Sequence, residues 1–277
     1  MTRTTSNRSD RAVALVTGAS SGIGRAIAEA LTHEGYVVIG TSRNAATAPP
    51  LAGVDFVDLD VTSEDSVGDA VTGVIERFGR IDVLVNNAGI GLAGAAEEST
   101  AEQARTLFDV NLFGVMRMTN AVLPHMRARR AGRIVNISSI LGLIPAPYMA
   151  IYASTKHAVE GYSESLDHEL RQHGVRVLLI EPGYTGTAFE ANTLNPDSPL
   201  AVYAHQRTVS RDVLVAAMRT ADDPTVVAAA AVRAITRANP RPRRAAGSLS
   251  RRVSLLRRLV PSVAFDKQIR KLNRLPA

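Results

Sequence analysis

The chain has 277 residues, 45% of them hydrophobic, enough for one large core or two modest ones. It has no cysteine, which excludes disulfides, zinc–thiolate centres and thiol catalysis; its six histidines show no tight ligand spacing, so no metal is expected. The net charge of +6 is uneven: from Arg241 onward eleven Lys/Arg meet the single acid Asp266, giving +10 there and −4 over residues 1–240.

In chain order, residues 1–10 are a polar tail without the apolar run of a secretory signal. RAVALVT at 11–17 reads as a buried strand, followed by the turn TGASSGIG and a helix over 23–34. YVVIGTS at 36–42 is a second strand, 44–53 a Pro/Ala/Gly loop, and VDFVDLD a third strand. Ser63 caps a helix running to Phe78, and IDVLVNN at 81–87 is the fourth strand. Helical periodicity over 101–130 is interrupted at Pro124, and RIVNISS at 133–139 is a fifth strand. A long helix runs from 152 to 173 and stops at Gly174, before the sixth strand, VRVLLIEP. The run VVAAAAV at 226–232 is the longest apolar stretch, far short of the ~18 residues a membrane helix needs. A soluble, cytoplasmic protein is expected.

Strands alternate with helices, and the strands are almost continuously apolar. That pattern predicts an α/β fold with a doubly wound parallel sheet, as one domain over 11–247.

TGASSGIG puts Gly18, Gly22 and Gly24 at a strand-to-helix junction, with Ser20, Ser21 and Ile23 between them. Such a turn lets backbone approach a pyrophosphate, whose charge then sits at the helix N-terminus. At the end of the second strand an NAD site would carry Asp or Glu for the ribose hydroxyls, whereas this chain reads Ser42-Arg43. A carboxylate there would repel a 2′-phosphate and an arginine pairs with it, so NADP(H) is the preferred cofactor and NAD(H) the alternative. Ser21 and Arg25 are further candidates for that phosphate.

Tyr152 and Lys156 lie one helical turn apart in YASTK. A lysine cation beside a phenol lowers a pKa that is ordinarily near ~10 and makes tyrosine a usable acid/base. Alone the pair is an ordinary surface feature; after a phosphate-binding turn it is a candidate active site.

With these residues in hand, the chain resembles the short-chain dehydrogenase/reductase (SDR) family over roughly 11–240. TGASSGIG resembles that family's glycine turn, and Asp60-Val61 its adenine-contacting pair. Asn86-Asn87-Ala88-Gly89 resembles its NNAG element, and Pro182-Gly183, Thr185 and Thr187 its nicotinamide segment. Asn111, Ser139, Tyr152 and Lys156 match its catalytic set, Ser139 being favoured over Ser138 by its thirteen-residue step to Tyr152. The resemblance implies hydride transfer between a nicotinamide and a carbonyl or alcohol. Tyr152 would exchange the proton, Ser139 hold the oxygen, Lys156 hold the nicotinamide ribose and Asn111 position a relay water. It also implies a homodimer or homotetramer through the 101–130 and 152–173 helices.

The greasy segment after Ser139, with Leu141 and Leu143, and Phe189 in a long lid over 184–220, irregular in pattern and expected to be helical, point to a lipophilic substrate. Residues 248–277 form a basic amphipathic extension. In it Leu249, Val253, Leu256 and Val260 share one helical face, with Arg251, Arg257 and Arg258 mainly off it. That face either docks on the body or on a second copy, or makes peripheral contact with an anionic membrane. No nucleic acid is expected, since no recognition fold accompanies the charge. The rival readings are an NAD-dependent alcohol dehydrogenase, an acyl-carrier ketoreductase, and a dinucleotide-binding protein without chemistry.

Overall fold

The computed structural model describes residues 11–190 and 192–276, so the polar tail over 1–10 lies outside the described residues. Seven parallel strands form one sheet in the order β3-β2-β1-β4-β5-β6-β7. They are β1 (Val13–Val16), β2 (Val37–Ser42), β3 (Val54–Asp58), β4 (Val83–Asn86), β5 (Gly132–Ile137), β6 (Val175–Pro182) and β7 (Arg243–Ala246).

Helices cover both faces, which is why the inner strands have no polar alternation. On one face α1 (Gly22–His33) and α7 (Pro224–Thr236) bury Ile27, Leu31, Val227 and Ile235. On the other, α2 (Glu64–Phe78) and α4 (Gly114–Ala128) bury Val67, Val74, Met118 and Val122, while α5 (Ala150–Leu170) packs on β6 and buries Val159. The helix stops follow local chemistry. Ser63 accepts the Ser66 N–H at the start of α2, and Gly79 closes it at φ 72°. Beyond α5 a short 3-10 turn ends on Gly174 at φ 73°, where a Cβ would lie 1.9 Å from the Arg130 carbonyl oxygen.

Two readings of the sequence are corrected. The helix over 101–130 is not interrupted at Pro124, which α4 carries in its interior. Pro124 and Asn120, whose carbonyl loses its partner, are both exposed, so water can replace the missing bond. The interruption is instead a π-helical turn, Asp109–Phe113, between α3 (Ala101–Phe108) and α4. The lid is helical, as expected, and its main helix is α6 (Ala204–Met218). α7 and β7 were not predicted as elements; β7 extends the sheet beyond β6, and α7 packs on α1.

β1 sends its crossover toward β2, while the next crossover emerges on its other side at β4. The crevice beyond the carboxyl ends of β1 and β4 is therefore the switch point where ligands bind in such sheets.

The extension forms α8 (Ser248–Leu259) and α9 (Ser262–Leu272), with α8 packed against β7 and the turn after β5. No helix among the described residues is long and apolar enough to cross a membrane.

Candidate active site

The crevice holds about 800 Å³, and the two ends foreseen from sequence meet in it. At one end the turn after β1 is held by β4. Thr17 Oγ1 accepts the N–H groups of Asn87 (2.9 Å) and Ala88 (3.0 Å), and Asn87 Nδ2 donates to the carbonyls of Thr17 (3.0 Å) and Gly18 (3.1 Å). Gly18 and Gly22 adopt positive φ, 65° and 53°. A Cβ on Gly24 would stand 2.3 Å from the Gly18 carbonyl oxygen, so only glycine permits this closure of helix on turn. Ser21 makes no side-chain cap on α1, leaving the first-turn N–H groups to face the crevice. Gly18, Ser20, Ser21, Gly22 and Ile23 line it; Gly24 stands behind them as the residue of close approach.

Ser42, Arg43, Asp60 and Val61 line the adenine end, as do Asn87, Ala88 and Gly89. Asp60 Oδ1 accepts from Thr62 N (2.9 Å) and Oγ1 (2.7 Å). These bonds, with smaller help from Arg43 and Arg117, hold its carboxyl below the ordinary carboxylate range. Arg25 does not join Arg43. Its guanidinium donates to the Pro49 (2.9 Å) and Pro50 (2.8 Å) carbonyls, a tie that draws it to the loop after β2.

At the other end, Tyr152 and Lys156 project from α5 and are both nearly buried. The phenol and the Ser139 hydroxyl face one another in the crevice, and that hydroxyl oxygen accepts from Leu141 N at 3.1 Å. Lys156 Nζ donates to the Ile137 carbonyl (3.0 Å) and lies 5.7 Å from the Tyr152 ring centre. Burial pushes the Tyr152 phenol up to about 12, with Ser139 pulling it down, so the lowering expected from Lys156 does not appear. The reason lies in the lysine. Burial brings Lys156 down to about 8, against a smaller opposing pull from Glu160. Both charged forms are costly in the same dry space.

Asn111 sits behind the crevice in the π turn. Its Oδ1 accepts from Ile90 N (2.9 Å), and its Nδ2 donates to Ile90 O (2.9 Å) and Thr155 Oγ1 (3.2 Å). Its donors are spent on scaffold. The side chain thus clamps α3–α4 to α5, one residue from Lys156.

The segment that the family resemblance assigns to the nicotinamide leaves β6 as Pro182, Gly183, Thr185 and Thr187, all on the crevice wall. The substrate wall is apolar: the Phe189 ring centre lies 5.8 Å from that of Tyr152, and Leu141, Met149 and Ile90 pack around them. Leu143 does not line the crevice. Its neighbours Leu141 and Ile144 do, and its carbonyl accepts from Arg257 Nε at 3.4 Å.

Sequence reasoning missed two groups. Tyr148 lines the crevice at φ 62°, an unusual conformation for an aromatic residue, edge-on to Tyr203 of the lid. Behind α5, Arg243 of β7 pairs with Glu160 and Glu164 of α5 and Glu181 of β6. Burial and Glu181 push the Glu160 carboxyl up to about 7, against Ser138 and Arg243. The Ser138 hydroxyl lies beside Glu160 without a closed hydrogen bond. Glu181, the one acid in the strand VRVLLIEP, is the sequence signal for this cluster.

The lid is pinned by Glu98, fully buried. Its carboxylate accepts from Ala95 N (3.0 Å) and Leu200 N (2.8 Å) and pairs with Arg207 of α6.

A glycine turn, a tyrosine–lysine–serine group and a nicotinamide-type segment thus share one crevice. A family model described as short chain dehydrogenase matches residues 12–197. The chain belongs to that family. It is 44% identical over 180 residues to a 3-ketodihydrosphingosine reductase of Bacteroides thetaiotaomicron, covering 65% of this chain and 66% of that protein. It is 39% identical over 192 residues to retinol dehydrogenase 8 of Bos taurus, covering 65% and 61%. The match thus spans just under two thirds of these two relatives. A short-chain dehydrogenase from Streptomyces avermitilis superposes with a TM-score of 0.82 at 36% identity, over 96% of this chain and 98% of that one. Family structures with bound cofactor include an NAD complex from Burkholderia phymatum (TM-score 0.73, 30% identity, 86% and 90% covered). A Thermococcus sibiricus alcohol dehydrogenase carries 5-hydroxy-NADP (0.70, 28%, 85% and 96%). This short-chain dehydrogenase is therefore an oxidoreductase of a family whose members bind NAD or NADP.

Proposed function

We propose that the protein interconverts a carbonyl and a primary or secondary alcohol on a lipophilic substrate, with NADP(H) preferred over NAD(H). The observation that carries this reading is the meeting of Ser139, Tyr152 and Lys156 in one crevice that runs from a glycine cradle to an apolar wall.

The residues present fit a dinucleotide. The glycine turn leaves room where any side chain would intrude, the free N–H groups of α1 suit a pyrophosphate, and Ser42 and Arg43 suit a 2′-phosphate. When bound, the nicotinamide supplies hydride to the carbonyl carbon or takes it from the alcohol carbon. Ser139 hydrogen-bonds the reacting oxygen, and Tyr152 Oη gives that oxygen its proton in reduction. Because burial holds the phenol up near 12, Tyr152 stays protonated at neutral pH, the form that reduction uses. In oxidation the deprotonated form of the same oxygen takes the proton back, a form that burial makes scarce at neutral pH. Lys156 keeps its charge below about 8, where it holds the ribose and offsets developing negative charge. With its side chain committed to Ile90 and Thr155, Asn111 serves the site by fixing α5 beneath Tyr152 and Lys156.

The apolar wall of Phe189, Leu141 and Ile144 supports a lipophilic substrate, as do relatives named for a ketodihydrosphingosine and a retinol. Cytoplasmic residence and assembly as a homodimer or homotetramer complete the reading. Phe113, 45% exposed at the α3–α4 junction, supports the assembly.

The test is Tyr152→Phe, assayed by reduced-cofactor absorbance on a panel of long-chain ketones, aldehydes and alcohols. Positioned acids contribute about 10²–10⁴-fold, so kcat should fall by that factor, roughly three to six kcal/mol of barrier. Full turnover by the variant on a substrate the wild type uses would sink the proposal.

A further inference from the structure

The extension lies on the body with the wrong face outward for a helix that only needs to dock. α8 buries Ser250, half-buries Val253 and Ser254, and leaves Leu255 58% and Leu259 71% exposed, one turn apart on its outer side. Past Pro261, Val263 at 68% and Leu272 at 59% on α9 are exposed as well. A helix that covers a serine and shows leucines to solvent has a second surface to satisfy.

The cations are placed around those residues. Arg251 and Arg258 flank the Leu255–Leu259 side at helical spacing and are exposed, as are Lys267 and Lys271 on α9. Arg257 is the exception: it reaches the Leu143 carbonyl and stacks over the Phe265 ring at 5.3 Å, which folds α9 against α8. Over 248–276 eight Lys/Arg meet one acid. Self-association through this face would press like charges together, whereas an anionic surface neutralises them.

The extension also reaches both walls of the crevice. Arg257 binds the segment after Ser139, Asn273 lines the crevice itself, and the Arg274 carbonyl accepts from Gln206 of the lid helix at 3.2 Å.

From this juxtaposition we infer that the exposed apolar side of α8–α9 seats on an anionic phospholipid bilayer. Its leucines enter the headgroup–acyl boundary, its arginines pair with lipid phosphates, and the crevice mouth is held at the bilayer surface. A lipophilic substrate then reaches the crevice from the bilayer; only this consequence rests on the function proposed above, and the docking itself does not.

The experiment uses the full chain with vesicles of phosphatidylcholine containing 30% phosphatidylglycerol (about one lipid in three), and with pure phosphatidylcholine vesicles. Wild type should sediment with the anionic vesicles only, less so at high salt. L255S/L259S/V263S should lower the partition coefficient at least tenfold, and R251E/R258E should lower it by about fivefold per reversed arginine. Both variants should keep wild-type turnover on a short water-soluble ketone, so the readout is independent of the chemistry. Equal sedimentation of wild type and variants would overturn the inference. So would a loss of self-association in the serine variant with no vesicle binding by wild type, which would give the face to a second copy. Tighter binding of duplex DNA than of anionic vesicles at physiological salt would overturn it too.

Discussion

Glu160→Gln probes the charge cluster behind the catalytic helix. The carboxyl is 4% exposed, and burial together with Glu181 raises it from its ordinary 4.5 to about 7, despite the pairing with Arg243. A raised folded-state value fixes the sign. The stability this group contributes is complete below about 4.5 and is lost as pH rises through about 7. The gap between about 7 and 4.5, at about 1.4 kcal/mol per pH unit, sets a cost on the order of 3 kcal/mol for the ionised form. Glutamine has the shape of the protonated acid and cannot ionise. Variant and wild type should therefore be equally stable near pH 4, within about 0.5 kcal/mol, with the variant ahead by about 1 kcal/mol at pH 5.5. By pH 8.5 the variant should be ahead by up to about 3 kcal/mol, or about 6–10 °C in Tm for a chain of this size. The assay is thermal unfolding followed by circular dichroism at constant ionic strength across that range. A difference that does not vary with pH would refute the reasoning. A wild type that gains on the variant as pH rises would show that Arg243 more than compensates the buried carboxylate.

Three further outcomes follow from the same geometry. Arg43→Asp removes the cation at the end of β2, so KM for NADP(H) should rise about 10- to 100-fold with NAD(H) little affected; an equal loss for both cofactors would reject the 2′-phosphate role. Carbonyl reduction should hold steady at neutral pH and decline above about 8, as Lys156 loses its charge while Tyr152 stays protonated to about 12; kcat/KM profiles flat to pH 10 would remove that charge from the mechanism. Glu98→Ala leaves Arg207 without its carboxylate, so the protein should lose about 3–5 kcal/mol and amide exchange over 195–218 should quicken, with KM for substrate rising. Unchanged exchange would mean that the lid is held elsewhere.

The sheet was legible because strands buried on both faces must be largely apolar, and, while the edge strand β3 carries Asp55 and Asp58, the five inner strands announce themselves that way. β7 does not: Arg-Arg-Ala-Ala carries no strand signature, and its place depends on pairing with β6 and on the acids waiting for Arg243. That is tertiary context overriding local propensity. The lid was expected to be helical, but the bounds of α6 could not be read, since it buries no residue and so lacks a clear apolar stripe. The site residues were legible where backbone geometry demands a residue type, as at Gly18 and Gly22, or where two groups share a helix turn, as at Tyr152 and Lys156. Their ionisation was not, because the spacing of a phenol and an amine says nothing about how dry their surroundings are. The orientation of α8 escaped for the same reason. Periodicity finds an apolar face, and only packing decides whether that face looks inward.

The π turn links these observations. A regular helix through 109–113 would keep its backbone bonds in register, and the widened turn gives up that register at the residue beside the crevice. In exchange the Asn111 amide, bound twice to Ile90 and once to Thr155, ties the loop after β4 to the first turns of α5. Thr155 in turn donates to the Tyr152 carbonyl at 2.7 Å, so the clamp ends on the backbone of the proton donor itself. Glu160 and Arg243 hold the same helix from behind, one turn beyond Lys156. α5 is thus fixed from two sides by polar contacts that its neighbours cannot slide along, unlike the apolar contacts of the core. On this reading Asn111 acts on turnover mainly by fixing where Tyr152 and Lys156 stand, and the reacting oxygen meets a donor whose position is set before substrate arrives.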